Sequence, residues 1–305
     1  MKYFSTKTSL LVLSSIALFL FIFAGCVTTP IPSPSNKEPV SRSTKPHKKL
    51  SKEILEINTS SGAKQKFLLI KPAEPTALVI LFDGGYGKQR IEKRFGQIQI
   101  ESKGFLARNS DVFAENGFVV ALVDAPSNKQ SKGIYPDFRM SKEHAQDIDL
   151  VISYLIKKVK LPVWIVGMST GTFSAANAAI QSNREISGIV LAASSTLSYD
   201  RWPKYETYPK GVLSMELNKI KVPTLMVAHE NDKCFVSPPS DAFKMKQALV
   251  NSPKAEVLLF KGGKKPKQLN SPVPSDCQPL TPHGFYGIEK RVIDAIAGFI
   301  NANSK

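Results

Sequence analysis

Six short, nearly uninterrupted apolar runs punctuate this chain: Ala77 to Phe82, Phe118 to Val123, Val163 to Val166, Ile189 to Ala193, Thr224 to Ala228 and Val257 to Phe260. A strand that is apolar on both faces belongs to a parallel sheet covered on each side by helices. Helical patterns lie between the runs. Ser141 is placed as an N-cap, and Ala145, Ile148, Ile152, Leu155, Ile156 and Val159 then follow one helical face. Ile288, Val292, Ile293, Ile296, Phe299 and Ile300 mark a second such face at the end of the chain. Ahead of the runs, Glu53–Ile57 and Lys66–Phe67-Leu68-Leu69-Ile70 flank Ser60-Ser61-Gly62 and read as a hairpin. The expectation is one α/β domain over residues 52–305, with a mostly parallel central sheet of about eight strands and helices on both faces.

The first 25 residues read differently. Lys2 and Lys7 precede an apolar run from Leu10 to Phe23, broken only by Ser14 and Ser15. Fourteen helical residues rise about 21 Å, short of the roughly 30 Å hydrocarbon core of a bilayer. A cationic start, a short apolar middle and small residues at the end describe an export signal. Residues 26–51 hold Pro30, Pro32, Ser33, Pro34 and Ser35, then Arg42, Lys45, His47, Lys48 and Lys49. That composition cannot bury a core and reads as a tether. The whole chain carries a formal charge of +16, and removal of Lys2 and Lys7 leaves +14. Near an anionic leaflet each tether cation adds about 1 kcal/mol of attraction; a simply solvated linker is the competing reading. Export separates the basic chain from the genome, so nucleic acid is not an expected partner.

Gly167-Met168-Ser169-Thr170-Gly171 matches G-x-S-x-G, directly after the run Val163–Val166 and opening an Ala-rich helix, Thr170 to Ile180. A strand-to-helix turn this sharp holds its serine in a strained conformation, and flanking glycines relieve the crowding. On these residues the stretch from about Lys52 to Asn301 resembles the α/β-hydrolase family of serine hydrolases. The ending Phe23-Ala24-Gly25-Cys26 likewise resembles the lipobox of bacterial lipoproteins, in which the cysteine is acylated and becomes the new N-terminus. That second resemblance implies a lipid anchor on Cys26 and a location at the bacterial cell envelope.

The hydrolase resemblance implies a triad in the order Ser, acid, His. Asp232, after the run ending at Ala228, and His283, ahead of the last helix, stand where the family places its acid and base. A serine hydroxyl needs a base to take its proton during attack. An imidazole, with an ordinary pKa of about 6.5, suits that task, and a carboxylate fixes its tautomer. Glu230 and Asp200 compete for the acid; His144, placed at the solvent edge of its helix, His47 and His229 compete for the base. His229 is expected to anchor a loop. An oxyanion hole is expected from the amide of Thr170 and that of Gly85 in Asp83-Gly84-Gly85-Tyr86-Gly87, with Tyr86 as the alternative donor. The family commonly has His-Gly at this turn, and here Asp83 replaces the histidine.

With Cys26 lipidated, Cys234 and Cys277 remain as a pair in an oxidising compartment. A bridge between them would join the acid loop to the base loop and pin the long segment Lys261–Pro282. Between Ala193 and Val222, Tyr199, Trp202, Tyr205 and Tyr208 accompany Pro203 and Pro209 in a small cap segment. These aromatics either wall an acyl or aryl site or pack the segment onto the domain. The resemblance implies an ester hydrolase working through an acyl-enzyme, with no metal and no organic cofactor. The alternatives are a serine peptidase or amidase with the same triad, and an envelope binding protein of the same fold without turnover.

Overall fold

The computed structural model describes residues 50–304. The export segment, Cys26, His47 and the tether through residue 49 lie outside the described residues.

Ten strands and seven α-helices follow in order: β1 (Ser51–Asn58), β2 (Lys64–Lys71), β3 (Ala77–Phe82), β4 (Ile91–Arg94), β5 (Gln97–Ile100), α1 (Phe105–Arg108), α2 (Ser110–Glu115), β6 (Phe118–Val123), α3 (Pro136–Arg139), α4 (Lys142–Lys158), β7 (Val163–Met168), α5 (Gly171–Gln181), β8 (Gly188–Ala192), β9 (Thr224–His229), α6 (Asp241–Ala248), β10 (Ala255–Phe260) and α7 (Glu289–Asn303). Eight of the strands form one sheet in the order β1-β2-β6-β3-β7-β8-β9-β10. β2 runs antiparallel to both its neighbours, and every other adjacent pair is parallel. β4 and β5 pair separately as a small hairpin.

The side-chain period of a strand explains why the central runs are apolar throughout. Along β3, Leu78, Ile80 and Phe82 enter the core under α4, α5 and α6. Ala77, Val79 and Leu81 enter the opposite core under α1, α2 and α7. All six are at most 2% exposed, so neither face tolerates a polar residue. α4 starts where the sequence places its cap, with Ser141 Oγ accepting the His144 amide at 3.1 Å.

His144 itself is not at a solvent edge. It is buried, with its ring against Phe82 and Phe138 and its Nε2 2.9 Å from Ser174 Oγ, because α4 docks its first turn against α5. Burial, and then the Arg139 charge, push its pKa down to about 3, so the ring is neutral.

A disulfide joins Cys234 to Cys277 across 43 residues. In the chain-entropy account, closing a loop of that length stabilises by about 4 kcal/mol. Replacing both cysteines with serine is expected to lower the unfolding free energy by roughly that amount, as measured by denaturant titration. An unchanged midpoint would show that the bridge contributes nothing.

Candidate active site

Three loops at the C-terminal ends of β3, β7 and β9, and one ahead of α7, border a single cavity of about 340 Å³. Ser169 sits in the turn between β7 and α5 with φ +52°, a left-handed conformation unusual for a residue with a Cβ. Such a backbone costs on the order of 1–2 kcal/mol and persists only where its surroundings fix it. Here the Ser169 amide donates to Ala192 O of β8 at 2.9 Å, and its carbonyl accepts the Thr172 amide at 3.0 Å. Gly171 is required by close approach: a Cβ there would lie 1.9 Å from Phe82 O. Gly84 lets the turn after β3 press against the serine, since its own Cβ would meet Ser169 Cβ at 2.9 Å.

Asp232 and His283 meet although 51 residues separate them: Asp232 Oδ2 lies 2.8 Å from His283 Nδ1. Both are buried. The carboxylate is further held by the Cys234 amide on Oδ1 at 2.8 Å and by the Ser237 hydroxyl on Oδ2 at 3.0 Å. The disulfide therefore fixes the residue whose amide holds the Asp232 carboxylate. His283 is placed by its amide, which donates to Thr281 Oγ1 at 3.2 Å. Its ring and Ser169 border the same cavity.

The other candidates fall elsewhere. Glu230 is exposed, 3.7 Å from Lys261 Nζ, and Asp200 is exposed. His229 Nδ1 accepts the Asn231 amide at 3.0 Å, so its proton is on Nε2, which donates to Gly262 O at 2.8 Å. It anchors the loop that carries Asp232. Among the described residues, no group of three or more His, Cys, Asp or Glu side chains gathers as metal ligands.

At the turn after β3, the amides of Gly85 and Tyr86 have no acceptor among the described residues, nor does the amide of Thr170. Thr170 Oγ1 donates to Gly85 O at 2.7 Å and ties the two turns together. Asp83 stands at this turn where the resembled family commonly has a histidine. Its carboxylate is buried and accepts the Gly84 amide and the Ala107 amide, each at 2.8 Å. On the other side, Arg139 Nη2 donates to Asp83 O at 3.1 Å and Nη1 to Ser174 Oγ at 2.9 Å. One peptide unit, Asp83–Gly84, is thus gripped at its carbonyl by a guanidinium and at its N–H by a carboxylate.

Sequence reasoning missed Arg139, which is 0% exposed and has no carboxylate in contact. Burial pulls its pKa down to about 9, opposed by the Asp83 charge, so it stays protonated at neutral pH. Burial raises the Asp83 pKa, opposed by the amides it accepts. The Asp83 charge thus supports Arg139, while the positive charge that supports Asp83 comes from Arg108. Arg139→Met is expected to cost about 1.5–3 kcal/mol, because it leaves the buried Asp83 carbonyl and Ser174 hydroxyl without their charged donor. The double variant Arg139→Met/Asp83→Asn is expected to lose less than the sum of the single losses. Denaturant titration of all four proteins measures this; strict additivity would show that the charges are uncoupled.

The sequence matches no protein-family model and no curated protein. Its fold is nevertheless similar to solved structures. An esterase of Pyrococcus furiosus aligns with TM-score 0.60 at 13% identity, over 84% of this chain and 92% of that one. Est1E of Butyrivibrio proteoclasticus aligns with TM-score 0.56 at 15% identity, over 82% and 98%. A dienelactone hydrolase of Anabaena variabilis aligns with TM-score 0.55 at 13% identity, over 84% and 99%. With its strand order and nearly parallel sheet, the domain has the α/β-hydrolase fold.

Proposed function

We propose that this protein is a serine hydrolase that cleaves carboxylic esters through an acyl-enzyme. Ser169 is the nucleophile, His283 the general base and then the general acid, and Asp232 the carboxylate that orients the imidazole. One arrangement carries the reading: a serine in a strained turn and a histidine hydrogen-bonded to a buried aspartate at 2.8 Å border one cavity.

Asp232 Oδ2 accepts a hydrogen bond from His283 Nδ1–H, which leaves Nε2 free to take a proton. In attack, Ser169 Oγ forms a bond to the ester carbonyl carbon as its proton passes to Nε2. The carbonyl oxygen becomes an oxyanion, received by the amides of Thr170 and Gly85. Those amides are preorganised, since the Asp83–Arg139 grip and the Thr170–Gly85 hydrogen bond fix both turns before substrate arrives. Donors of this kind are worth about 10²–10³ in kcat each. The imidazolium, stabilised by Asp232, returns its proton to the departing alcohol. Water, deprotonated by His283, then attacks the acyl-enzyme, the acid leaves and Ser169 is restored. Similarity in fold to an esterase and to a dienelactone hydrolase supports hydrolysis, and the ester preference is the reading those names favour.

A fluorophosphonate, which traps an activated serine, tests this. Mass spectrometry is expected to find one phosphonyl group, on Ser169. An unlabelled protein, or a label on another residue, refutes the assignment. Matched ester and amide panels then separate an esterase from an amidase.

The reading includes tethering at a bacterial cell envelope by a lipid on Cys26. Radiolabelled palmitate fed to expressing bacteria is expected to mark the wild type and leave Cys26→Ser unmarked and soluble. A Cys26→Ser protein that stays acylated and membrane-bound overturns the anchor.

A further inference from the structure

Resting on the serine-hydrolase reading, we propose that the cavity above Ser169 selects esters that carry a planar aromatic ring, with Tyr199, Trp202 and Phe235 setting that specificity. Two aromatic walls border the cavity. One is Tyr86, from the turn after β3, set edge-to-face on Tyr135 at 5.4 Å between centroids. The other comes from the cap segment and the acid loop. There Tyr199 stands edge-to-face both to Trp202, at 6.0 Å, and to Phe235, at 5.1 Å. All five rings line the same cavity as Ser169 and His283.

Burial raises the Tyr86 pKa, and the neighbouring phenols of Tyr135 and Tyr199 raise it further. None of these three hydroxyls has a hydrogen-bond partner among the described residues. They are donors and acceptors left available on rings that border a mainly apolar cavity. Phe235 is 46% exposed, a large apolar ring left open beside the catalytic cavity rather than packed away. Tyr208 shows the contrast: it is 1% exposed and sits edge-to-face on Phe173 in the core. Of the cap's aromatics, Tyr208 lies in the core, Trp202 packs partly against the core while bordering the cavity, and Tyr199 borders the cavity.

Leu269, Pro272, Val273 and Pro274, in the loop that the Cys234–Cys277 bridge pins, also border the cavity. Prolines and a crosslink make this wall stiff, so the space is set before substrate enters. An apolar cavity of about 150 Å³ accommodates benzene. The 340 Å³ here has room for one ring and the short link that carries its ester to Ser169. Shape alone would admit a saturated ring equally well. The difference lies in the ring quadrupole: edge-to-face contacts reward an aromatic guest and not a saturated one.

The test compares matched esters on the full chain. Methyl 3-phenylpropanoate is set against methyl 3-cyclohexylpropanoate, and 2-phenylethyl acetate against 2-cyclohexylethyl acetate, so the ring is carried by the acid in one arm and the alcohol in the other. In at least one arm, kcat/KM is expected to favour the aromatic ester by on the order of tenfold, the work of one or two ring contacts. Tyr199→Leu and Trp202→Leu are expected to shrink that ratio to near unity. Phe235→Leu, at an exposed position, is expected to lower it without disturbing the core. Ratios near one in both arms of the wild type overturn the proposal, as does a ratio unmoved by all three variants. If no ester is turned over while fluorophosphonate still marks Ser169, the substrate class is wrong and the serine assignment stands. If the label also fails, both fall.

Discussion

Replacing Ser169 with alanine is expected to lower kcat by about 10⁶-fold, leaving only what the cavity and amide donors achieve without a nucleophile. The substitution is unusually clean here. Ser169 Oγ makes no hydrogen bond among the described residues, so no structural bond leaves with it. Alanine keeps the Cβ, and the left-handed backbone at φ +52° is therefore no more strained than before. The amide bond to Ala192 and the carbonyl bond to Thr172 are untouched. Stability is expected to stay within about 0.5 kcal/mol of wild type. The pair of results matters more than either alone: ester hydrolysis lost while the thermal midpoint holds. Activity above about one per cent of wild type would remove Ser169 from the mechanism.

The sheet is legible in the sequence because its centre is parallel. β3, β6, β7 and β8 are covered on both faces, so an apolar run alone announces them. The β4–β5 hairpin was not read, and its turn explains why. A two-residue turn of this kind favours Asn-Gly or Asp-Gly. Here Phe95 and Gly96 occupy it with φ +49° and +78°, and Phe95 is 99% exposed, against every local preference. α1 to α3, each six residues or shorter, present too few turns for a helical period to register.

The site divides in the same way. The turn carrying Ser169 could be read because its glycines serve a local geometry. Asp232 and His283 were chosen by family order, since nothing in a 51-residue separation says that two side chains meet. Ser237 and Arg139 carried no signal at all. Ser237 reaches the acid only because the loop after Asp232 folds back on itself. Arg139 and His144 are polar residues whose burial comes from how α3 and α4 dock on α5, a tertiary decision that neither side chain encodes.

The geometry around the acid makes its neutral isostere informative. Asp232→Asn is expected to reduce kcat by about 10⁴-fold with KM little changed. As a carboxylate, Asp232 accepts on both oxygens: Oδ1 from the Cys234 amide, Oδ2 from His283 Nδ1 and the Ser237 hydroxyl. Asparagine has one oxygen. If that oxygen keeps the Cys234 amide, the NH2 group faces His283, whose Nδ1 must then accept. The ring proton moves to Nε2, the position that must be empty to take the proton of Ser169. If the amide flips, the Cys234 N–H faces a donor and the loop loses its tie. The first orientation disables the base; the second spares the tautomer only by setting a donor against the Cys234 amide, so the first is the one expected to prevail. Glu230, the rival in sequence, supplies the control: exposed and 3.7 Å from Lys261, it holds at most a surface ion pair worth about 0–1 kcal/mol. Glu230→Gln is expected to hydrolyse esters like the wild type. Steady-state kinetics on both variants decide between the two carboxylates. If Asp232→Asn retained full kcat, or Glu230→Gln lost it, the acid would have to be assigned anew.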